Sequence, residues 1–132
     1  MPANTIVLKE EGGHHNEGTC GAAISPGEGV EYQSDGKWDP MVTAQAAALK
    51  RNLQVAKEDA LQGKTVDDAY AADDVLFYYT PVVGDHLQVL VKSGEDIDIG
   101  DSLVVEGGGS GLFVEAAGIE AKFQLRALED SG

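Results

Sequence analysis

The residue types best suited to metal or nucleophilic chemistry lie together near the N-terminus. His14 and His15 precede Cys20, and Glu17 lies between them. Imidazole, thiolate and carboxylate groups all bind zinc, but structural zinc sites repeat their ligands in pairs at characteristic spacings. This stretch has no second cysteine, so its spacing matches no such pattern. We interpret Glu11–Gly21 as a polar, glycine-rich loop with incidental histidines, and we predict no metal site.

Several aspartates occur in short clusters that could bind a cation or act in acid–base chemistry. They are Asp67 and Asp68, Asp73 and Asp74, and the series Asp96, Asp98 and Asp101. Calcium prefers oxygen ligands, but its common loop motif ends in a glutamate that is missing here. Paired carboxylates for sugar hydrolysis need a defined cleft, and nothing in the sequence indicates one. We interpret these aspartates as solvated turn residues.

Glycines and serines are frequent, but they do not form a catalytic motif. Gly107–Gly111 (GGGSG) lacks the Lys-Ser/Thr of a phosphate-binding loop and joins two predicted strands. None of Ser25, Ser102 and Ser110 lies in the G-x-S-x-G pattern of a nucleophile elbow. The sequence therefore predicts a protein that is not an enzyme and has no cofactor.

Charge is the strongest signal in the composition. The 132 residues include 23 Asp and Glu against 9 Lys and Arg, a formal net charge of −14. Such a surface repels phosphates and anionic headgroups, so we predict no nucleic-acid partner and no membrane partner. A surface suited to strong salt fits this charge, and the alternative is an ordinary acidic protein or an interaction module with an acidic tail. The acids are spread along the whole chain, which favours an acidic surface over an acidic tail. Cys20 is the only cysteine, so no intrachain disulfide can form.

Two stretches with the same order of elements predict a mainly β fold. Residues 24–38 and 97–113 each contain a tight glycine turn, an alternating strand, a second turn and a returning strand with an aromatic residue. Glycine permits positive φ in such turns, and alternation gives each strand one buried face. A true duplication and a chance likeness of two hairpins both stay open. We predict a small, single-domain β-barrel or β-tulip-like fold of hairpins with one short helical turn.

The chain divides into an extended N-terminal arm and a β-rich domain. The arm is residues 1–21, and the domain is residues 22–132. Val66–Tyr70 predicts the helical turn, with Thr65 as a possible cap. Residues 43–61 stay open between helix and strand. Strands are predicted at Thr5–Glu10, about Leu53–Glu58, Val75–Thr80, His86–Lys92 and Ile119–Leu128.

Three stretches carry a family likeness: parts of Gly21–Lys37, Gly63–Asp74 (GKTVDDAYAADD) and Gly94–Val104. They resemble the small head proteins of tailed bacterial and archaeal viruses, often encoded beside the major capsid protein. The second stretch is the most specific, and the similarity extends from about Gly21 to the C-terminus. Relatives usually carry Gly at the position of Asp73, so the turn before Val75 is expected to differ. With the acidic composition, the resemblance implies a decoration protein of a virus that infects a halophilic archaeon.

The resemblance implies a structural role without catalytic residues. We expect the protein to bind the major capsid protein on the outside of an icosahedral capsid, as a homotrimer. Its expected location is the virion surface, and the host cytoplasm during assembly. Two strands are predicted to contact the capsid or a neighbouring subunit, because one could add to an exposed sheet edge and the other is apolar on both faces. Their residues are Thr5, Ile6, Val7, Leu8, Phe77, Tyr78 and Tyr79.

Two other interpretations bear on function. Residues 89–103 are similar to half of a biotinyl or lipoyl carrier domain, but the turn Gly107–Gly111 has no lysine to modify, so a carrier role is not predicted. The alternative function is a small β-domain that binds a carbohydrate or another small ligand. The aromatic residues that could stack on a sugar, or pack in the core instead, are Tyr32, Trp38, Tyr70, Tyr78 and Tyr79.

Overall fold

The computed structural model describes residues 5–10, 12–42, 53–82, 85–94, 102–106, 108–115 and 125–126. These ranges contain ten strands and a 3₁₀ turn at Ala60–Gln62. The strands are β1 (Val7–Lys9), β2 (His14–Thr19), β3 (Val30–Tyr32), β4 (Trp38–Pro40), β5 (Val55–Ala56), β6 (Val75–Thr80), β7 (His86–Leu87), β8 (Ser102–Val105), β9 (Phe113–Glu115) and β10 (Leu125–Arg126). No helix within these ranges is long and apolar enough to cross a membrane.

The strands pair in four small antiparallel sheets, which confirms the predicted mainly β class. The sheet orders are β2-β6-β5, β10-β8-β9, β3-β4 and β1-β7. Isolated bridges connect the sheets, such as Gly29 with Val55 and Cys20 with Trp38. Pairing among the described strands does not close the sheets into one barrel, so the predicted barrel or tulip shape stays a prediction.

Strand β6 is the centre of the largest sheet, as its composition predicts. Its aromatic and β-branched residues favour a pleated, half-buried surface, and it pairs with β2 along its whole length, from His14 opposite Thr80 to Thr19 opposite Val75. The interpretation of Glu11–Gly21 as a loop was therefore wrong for His14–Thr19. That strand is polar and almost wholly exposed, so its own sequence carries no burial signal and the backbone of β6 supplies its pairing.

The two similar stretches both contain hairpins. In the first, Tyr32 lies opposite Trp38 across the turn between β3 and β4. In the second, Val105 lies opposite Phe113 across the turn between β8 and β9. Residues 97–101, the beginning of the second stretch, lie outside the described residues. The hairpins touch where the Gly29 amide donates a hydrogen bond of 2.8 Å to the Gly111 carbonyl.

Within the described part of the chain, two clusters of buried apolar residues form most of the core. The first joins the N-terminal strand to both hairpins and contains Ile6, Met41, Leu53, Val55, Val66, Leu103, Val105 and Phe113. The second lies beneath β6 and contains Cys20, Ile24, Val30, Ala56, Tyr70 and Leu76. Each cluster draws on segments far apart in the chain, so the fold depends on long-range packing.

The segment between β5 and β6 corrects the predicted position of the helical turn. The strand favoured over about 53–58 is present only at Val55–Ala56, and most of the ambiguous stretch before it lies outside the described residues. The helical turn is Ala60–Gln62, capped by Asp59, whose side chain accepts from the Gln62 amide. Val66–Tyr70 forms a non-helical turn instead. The side chain of Asp68 accepts a hydrogen bond of 2.9 Å from the Thr65 amide there, and such side-chain bonds compete with helix.

The described part of the N-terminal arm packs on its own domain. Strand β1 pairs with β7, and the Ile6 amide donates to the buried Glu58 carboxylate at 2.8 Å. On its other side, the Ile6 carbonyl accepts from the Gln88 amide at 2.8 Å. These bonds and the burial of Ile6 hold β1 to the body of the domain.

Replacing Asp73 with glycine is expected to stabilise the fold slightly. Asp73 has φ 70°, and among the described residues it is the one non-glycine with positive φ. This conformation costs an L-residue about 1–2 kcal/mol, and less for Asp. Asp73→Gly removes that cost but loses the exposed ion pair to Lys37 Nζ at 2.8 Å, which contributes little because solvent screens it. We expect a net gain of up to about 1 kcal/mol in urea unfolding.

Lys37→Met is the matched control for this change, because it removes the ion pair and keeps the backbone strain. It should be neutral or slightly destabilising. A clear loss of stability in Asp73→Gly would show that the ion pair outweighs the strain.

Glu28 should lower the stability of the fold at neutral pH. Burial raises its pKa above the ordinary value of 4.5, and the hydrogen bond from the Ser25 amide opposes this only in part. A raised folded-state pKa means that the folded protein binds the proton more tightly, so stability falls as pH rises from about 4.5 to the folded pKa. We expect Glu28→Gln to unfold at a higher temperature than the wild type at pH 7, with the difference vanishing below about pH 4.5.

Glu106→Gln is the control of opposite sign. Hydrogen bonds from Ser110 and Lys92 lower the pKa of Glu106, so its ionised form is favoured in the folded state. Removing this carboxylate should reduce stability at pH 7. Parallel pH profiles for the two variants would contradict the assignment of Glu28.

Candidate functional site

Three aromatic side chains form a continuous row on the surface of the domain. The rings of Tyr32 and Trp38 lie with centroids 5.3 Å apart and are tilted by 59°. The rings of Trp38 and Tyr78 lie 4.3 Å apart and are tilted by 37°. We call this group the aromatic row. It joins the β3–β4 hairpin to the central sheet, because Tyr78 belongs to β6.

The row exists because a glycine lies beneath its central ring. A Cβ atom added to Gly18 would lie 2.6 Å from the indole Nε1 of Trp38, so any other residue would displace the ring. The hairpin register puts Tyr32 directly opposite Trp38, and the β2–β6 register puts Asn16 opposite Tyr78. Three elements therefore fix the position of the row.

The row is half open to solvent and has polar edges. Tyr32 is 58% exposed, while Trp38 and Tyr78 are half-buried against the second core cluster. Burial, and secondarily the neighbouring Tyr32, raises the pKa of Tyr78. Within the described part of the chain, neither the two hydroxyls nor the indole N–H has a hydrogen-bond partner. None of the three is a buried atom without a partner, so they face solvent and can hydrogen-bond to a ligand.

One carboxylate of the hairpin lies beside the row. Asp35 accepts from the Lys37 amide at 3.0 Å in the turn beside Tyr32, whereas Asp39, the neighbour of Trp38 on β4, lies on the opposite strand face near Gly21. Beneath the row lies Cys20, whose pKa is raised to about 11 by burial first and then by Asp74 and Asp39. A thiol with this pKa is protonated at neutral pH and unreactive.

A second polar cluster lies at the other end of β2. His15 Nε2 and Glu10 Oε1 are 2.7 Å apart, and Lys57 Nζ is 2.7 Å from His15 Nδ1. The tautomer with its proton on Nε2 suits both contacts, because the Lys57 ammonium can only donate. The imidazole ring of His15 also packs against the ring of Tyr79, with the two centroids 4.7 Å apart.

Tyr79 ties this cluster to the loop after β6. Its hydroxyl donates to Asp85 Oδ2 at 2.8 Å, and the same oxygen accepts from the Val82 amide at 2.9 Å. Burial and the Asp85 carboxylate raise the pKa of Tyr79 to about 12. The cluster thus uses its polar groups to fasten β2, β5 and β6 together.

The structure separates the residues that suggested a metal site. His14 and His15 are exposed on β2, whereas Cys20 is fully buried. Among the described residues, no group of three or more His, Cys, Asp or Glu side chains could hold a metal ion.

The aspartate pairs occupy exposed turns, as predicted. Asp68 and Asp74 each accept hydrogen bonds from backbone amides three residues earlier. Asp96, Asp98 and Asp101 lie outside the described residues. The described part of the glycine-rich segment, 108–111, forms the turn between β8 and β9, and Ser110 donates to Glu106 within it at 2.9 Å.

The residues predicted to contact a capsid or a neighbour differ widely in exposure. In the N-terminal strand, Thr5 and Leu8 are exposed, Val7 is half-buried and Ile6 is buried. In β6, Phe77 and Tyr78 are half-buried and Tyr79 is buried. Accessible side chains for contact are therefore Thr5 and Leu8, with Leu8 52% exposed.

The sequence predicted Tyr32, Trp38 and Tyr78 as candidate ligand-binding residues but did not predict that their rings lie in contact. It grouped them with Tyr70 and Tyr79, both of which are buried. The hydroxyl of Tyr70 donates to the Lys57 carbonyl at 2.7 Å, so it serves the core. The hairpin pattern alone would place Tyr32 opposite Trp38, whereas the contact with Tyr78 depends on the packing of β4 against β2 and carries no local signal.

In comparisons with known proteins, no family model and no curated protein matches the chain.

Proposed function

We propose that this protein is a structural, non-enzymatic virion component that decorates the outside of an icosahedral capsid by binding the major capsid protein. One structural observation supports the resemblance on which the proposal rests. Two of the stretches that carry the resemblance pair directly, because the Ile24 amide donates to Tyr70 at 3.1 Å and the Tyr70 amide donates to Ile24 at 2.7 Å. Lys37 and Asp73 join the same two stretches through their side chains. If the chain shares a fold with the family that it resembles, the stretches that carry the resemblance should lie together, and these two do.

The surface features suit contact with a large protein shell. Among the described strands, β1 pairs with β7 alone, and edge strands can accept a strand from another chain. Leu8 on β1 offers an exposed apolar side chain. The site is then a shallow protein-binding edge rather than a cleft.

Many copies acting together would strengthen such a contact. In this proposal the protein assembles as a closed homotrimer on the virion surface, after synthesis in the host cytoplasm. Once one subunit is bound, the others meet the shell at high effective concentration, so individually weak contacts give firm binding.

Cosedimentation with empty shells tests the proposal. The shells are assembled from the major capsid protein encoded nearest to the gene for this chain, and the full-length protein is added at about 1 M NaCl, where surface charge is screened. Saturable binding at a fixed number of copies per shell is expected. A protein that stays in the supernatant at all concentrations would overturn the proposal.

Two matched variants locate the contact. Leu8→Glu puts a charge on β1, and Leu61→Glu makes the same change on the 3₁₀ turn, where the side chain is 85% exposed. Both should fold, since neither side chain is buried. We expect Leu8→Glu to weaken shell binding by at least about tenfold, or about 1.4 kcal/mol, and Leu61→Glu to bind as the wild type. Equal binding by both variants would exclude β1 as the contact.

A further inference from the structure

We propose that the aromatic row Tyr32–Trp38–Tyr78 binds the ring face of a neutral sugar. This site is independent of shell binding, and it rests on the packing, exposure and polarity of three side chains. The inference concerns a carbohydrate ligand of the pyranose class.

The exposed ring supplies the stacking surface. An aromatic ring carries negative charge on its faces, and the C–H bonds on one face of a pyranose are weakly positive, so the two attract each other while apolar area is buried. Tyr32 is 58% exposed, and its ring packs beside that of Trp38 with the two centroids 5.3 Å apart. A side chain needed only for the core would not leave this much ring area in water.

The polar edges supply the hydrogen bonds that a sugar needs. The hydroxyls of Tyr32 and Tyr78 and the Nε1–H of Trp38 have no partner within the described part of the chain. The rings are tilted by 59° and 37°, so a sugar stacked on one ring meets the edge of the next. Asn16, exposed on β2 opposite Tyr78, adds an amide that can both donate and accept.

Charge selects the class of sugar. Asp35 lies in the turn beside Tyr32, and the whole chain carries −14. An acidic sugar would be repelled by this charge, whereas a neutral sugar meets no such barrier. The ring spacing also argues against a cage for a cation, because centroids 4.3 Å apart leave no space between Trp38 and Tyr78.

Fluorescence provides a direct test, since Trp38 is the only tryptophan in the chain. The full-length protein is titrated with maltohexaose, cellohexaose and N-acetylchitohexaose, and with a galacturonate hexamer as the acidic counterpart. We expect a saturable change in Trp38 emission with at least one neutral oligosaccharide, confirmed by calorimetry, and none with galacturonate. No saturable change with any neutral probe would overturn the proposal, as would equal binding of galacturonate.

Variants separate stacking from hydrogen bonding. Tyr32→Ala removes the exposed ring and should weaken binding at least tenfold, while Tyr32→Phe keeps the ring and should weaken it less. Leu61→Ala, an exposed change elsewhere, should bind as the wild type. Circular dichroism checks that each variant is folded, and Tyr32→Phe tests the proposal even if Tyr32→Ala unfolds.

Two results would assign the row to another role. Unchanged sugar binding in both Tyr32 variants would place the sugar elsewhere and overturn the proposal. Saturable binding of a polyproline peptide without binding of any neutral oligosaccharide would also overturn it, in favour of a protein ligand.

Discussion

Raising the NaCl concentration from about 10 mM to about 1 M is expected to stabilise this protein strongly, because the Debye length falls from about 30 Å to about 3 Å. The chain carries 23 acidic and 9 basic residues, and a domain of about this size has a radius of gyration near 13 Å. At low salt every carboxylate therefore repels every other across the whole molecule. We expect the free energy of unfolding to rise by about 5 kcal/mol or more over this range, which is comparable to the whole stability of many domains.

Urea unfolding at a series of NaCl concentrations measures this effect, and two controls separate charge screening from other effects of salt. Sodium sulfate strengthens apolar burial as well as screening charge, so a chloride response of similar size at matched ionic strength identifies screening. Glu17→Gln and Asp67→Asn together remove two exposed acids and should reduce the slope. A free energy of unfolding that stays flat or falls as NaCl rises would contradict the prediction and the halophilic setting with it.

Local pattern predicted the strands whose own side chains are buried. Val75–Thr80 forms a strand because its aromatic and β-branched residues pack on a core. The turn at Gly36 could be predicted because a φ of 84° favours glycine, so the residue type marks the turn. Strand β2 has neither property. Its sequence, HHNEGT, is typical of a loop. It forms a strand because its backbone pairs with the backbone of β6. No periodicity in β2 itself could have shown this.

The candidate site was predictable in composition but not in arrangement. The alternation in β6 puts Tyr78 and Tyr79 on opposite faces, yet which face meets water depends on Trp38 covering Tyr78. The same holds in the N-terminal strand, where Ile6 is buried and Leu8 is exposed. Alternation predicts that the side chains of Ile6 and Leu8 lie on the strand face opposite to that of Val7. Only the packing of the whole fold determines which of these side chains is buried. The role in a capsid stays a proposal that rests on the resemblance.

Gly111→Ala is expected to be one of the most destabilising single changes in the turns of this fold, because Gly111 is buried. Gly111 has φ 68°, which costs alanine about 1–2 kcal/mol. The added Cβ would also lie 2.7 Å from the Gly29 carbonyl oxygen, a backbone atom that cannot move aside freely. Overpacking of this kind costs about 1–3 kcal/mol. Because Gly29 and Gly111 join the two hairpins, we expect a total loss of about 2–4 kcal/mol in the free energy of unfolding.

Gly109→Ala is the matched control, because it changes the same turn and carries the same backbone strain without the clash. Gly109 has φ 89°, and nothing lies within 4 Å of an added Cβ, so this variant should lose only about 1–2 kcal/mol. Urea unfolding of both variants at about 1 M NaCl, where charge repulsion is screened, gives the difference. A lower urea midpoint with an unchanged m-value would place the effect in the folded state. If the two variants lost the same amount, the hairpins would not meet at Gly29 and Gly111 as described, since backbone strain alone would then account for both.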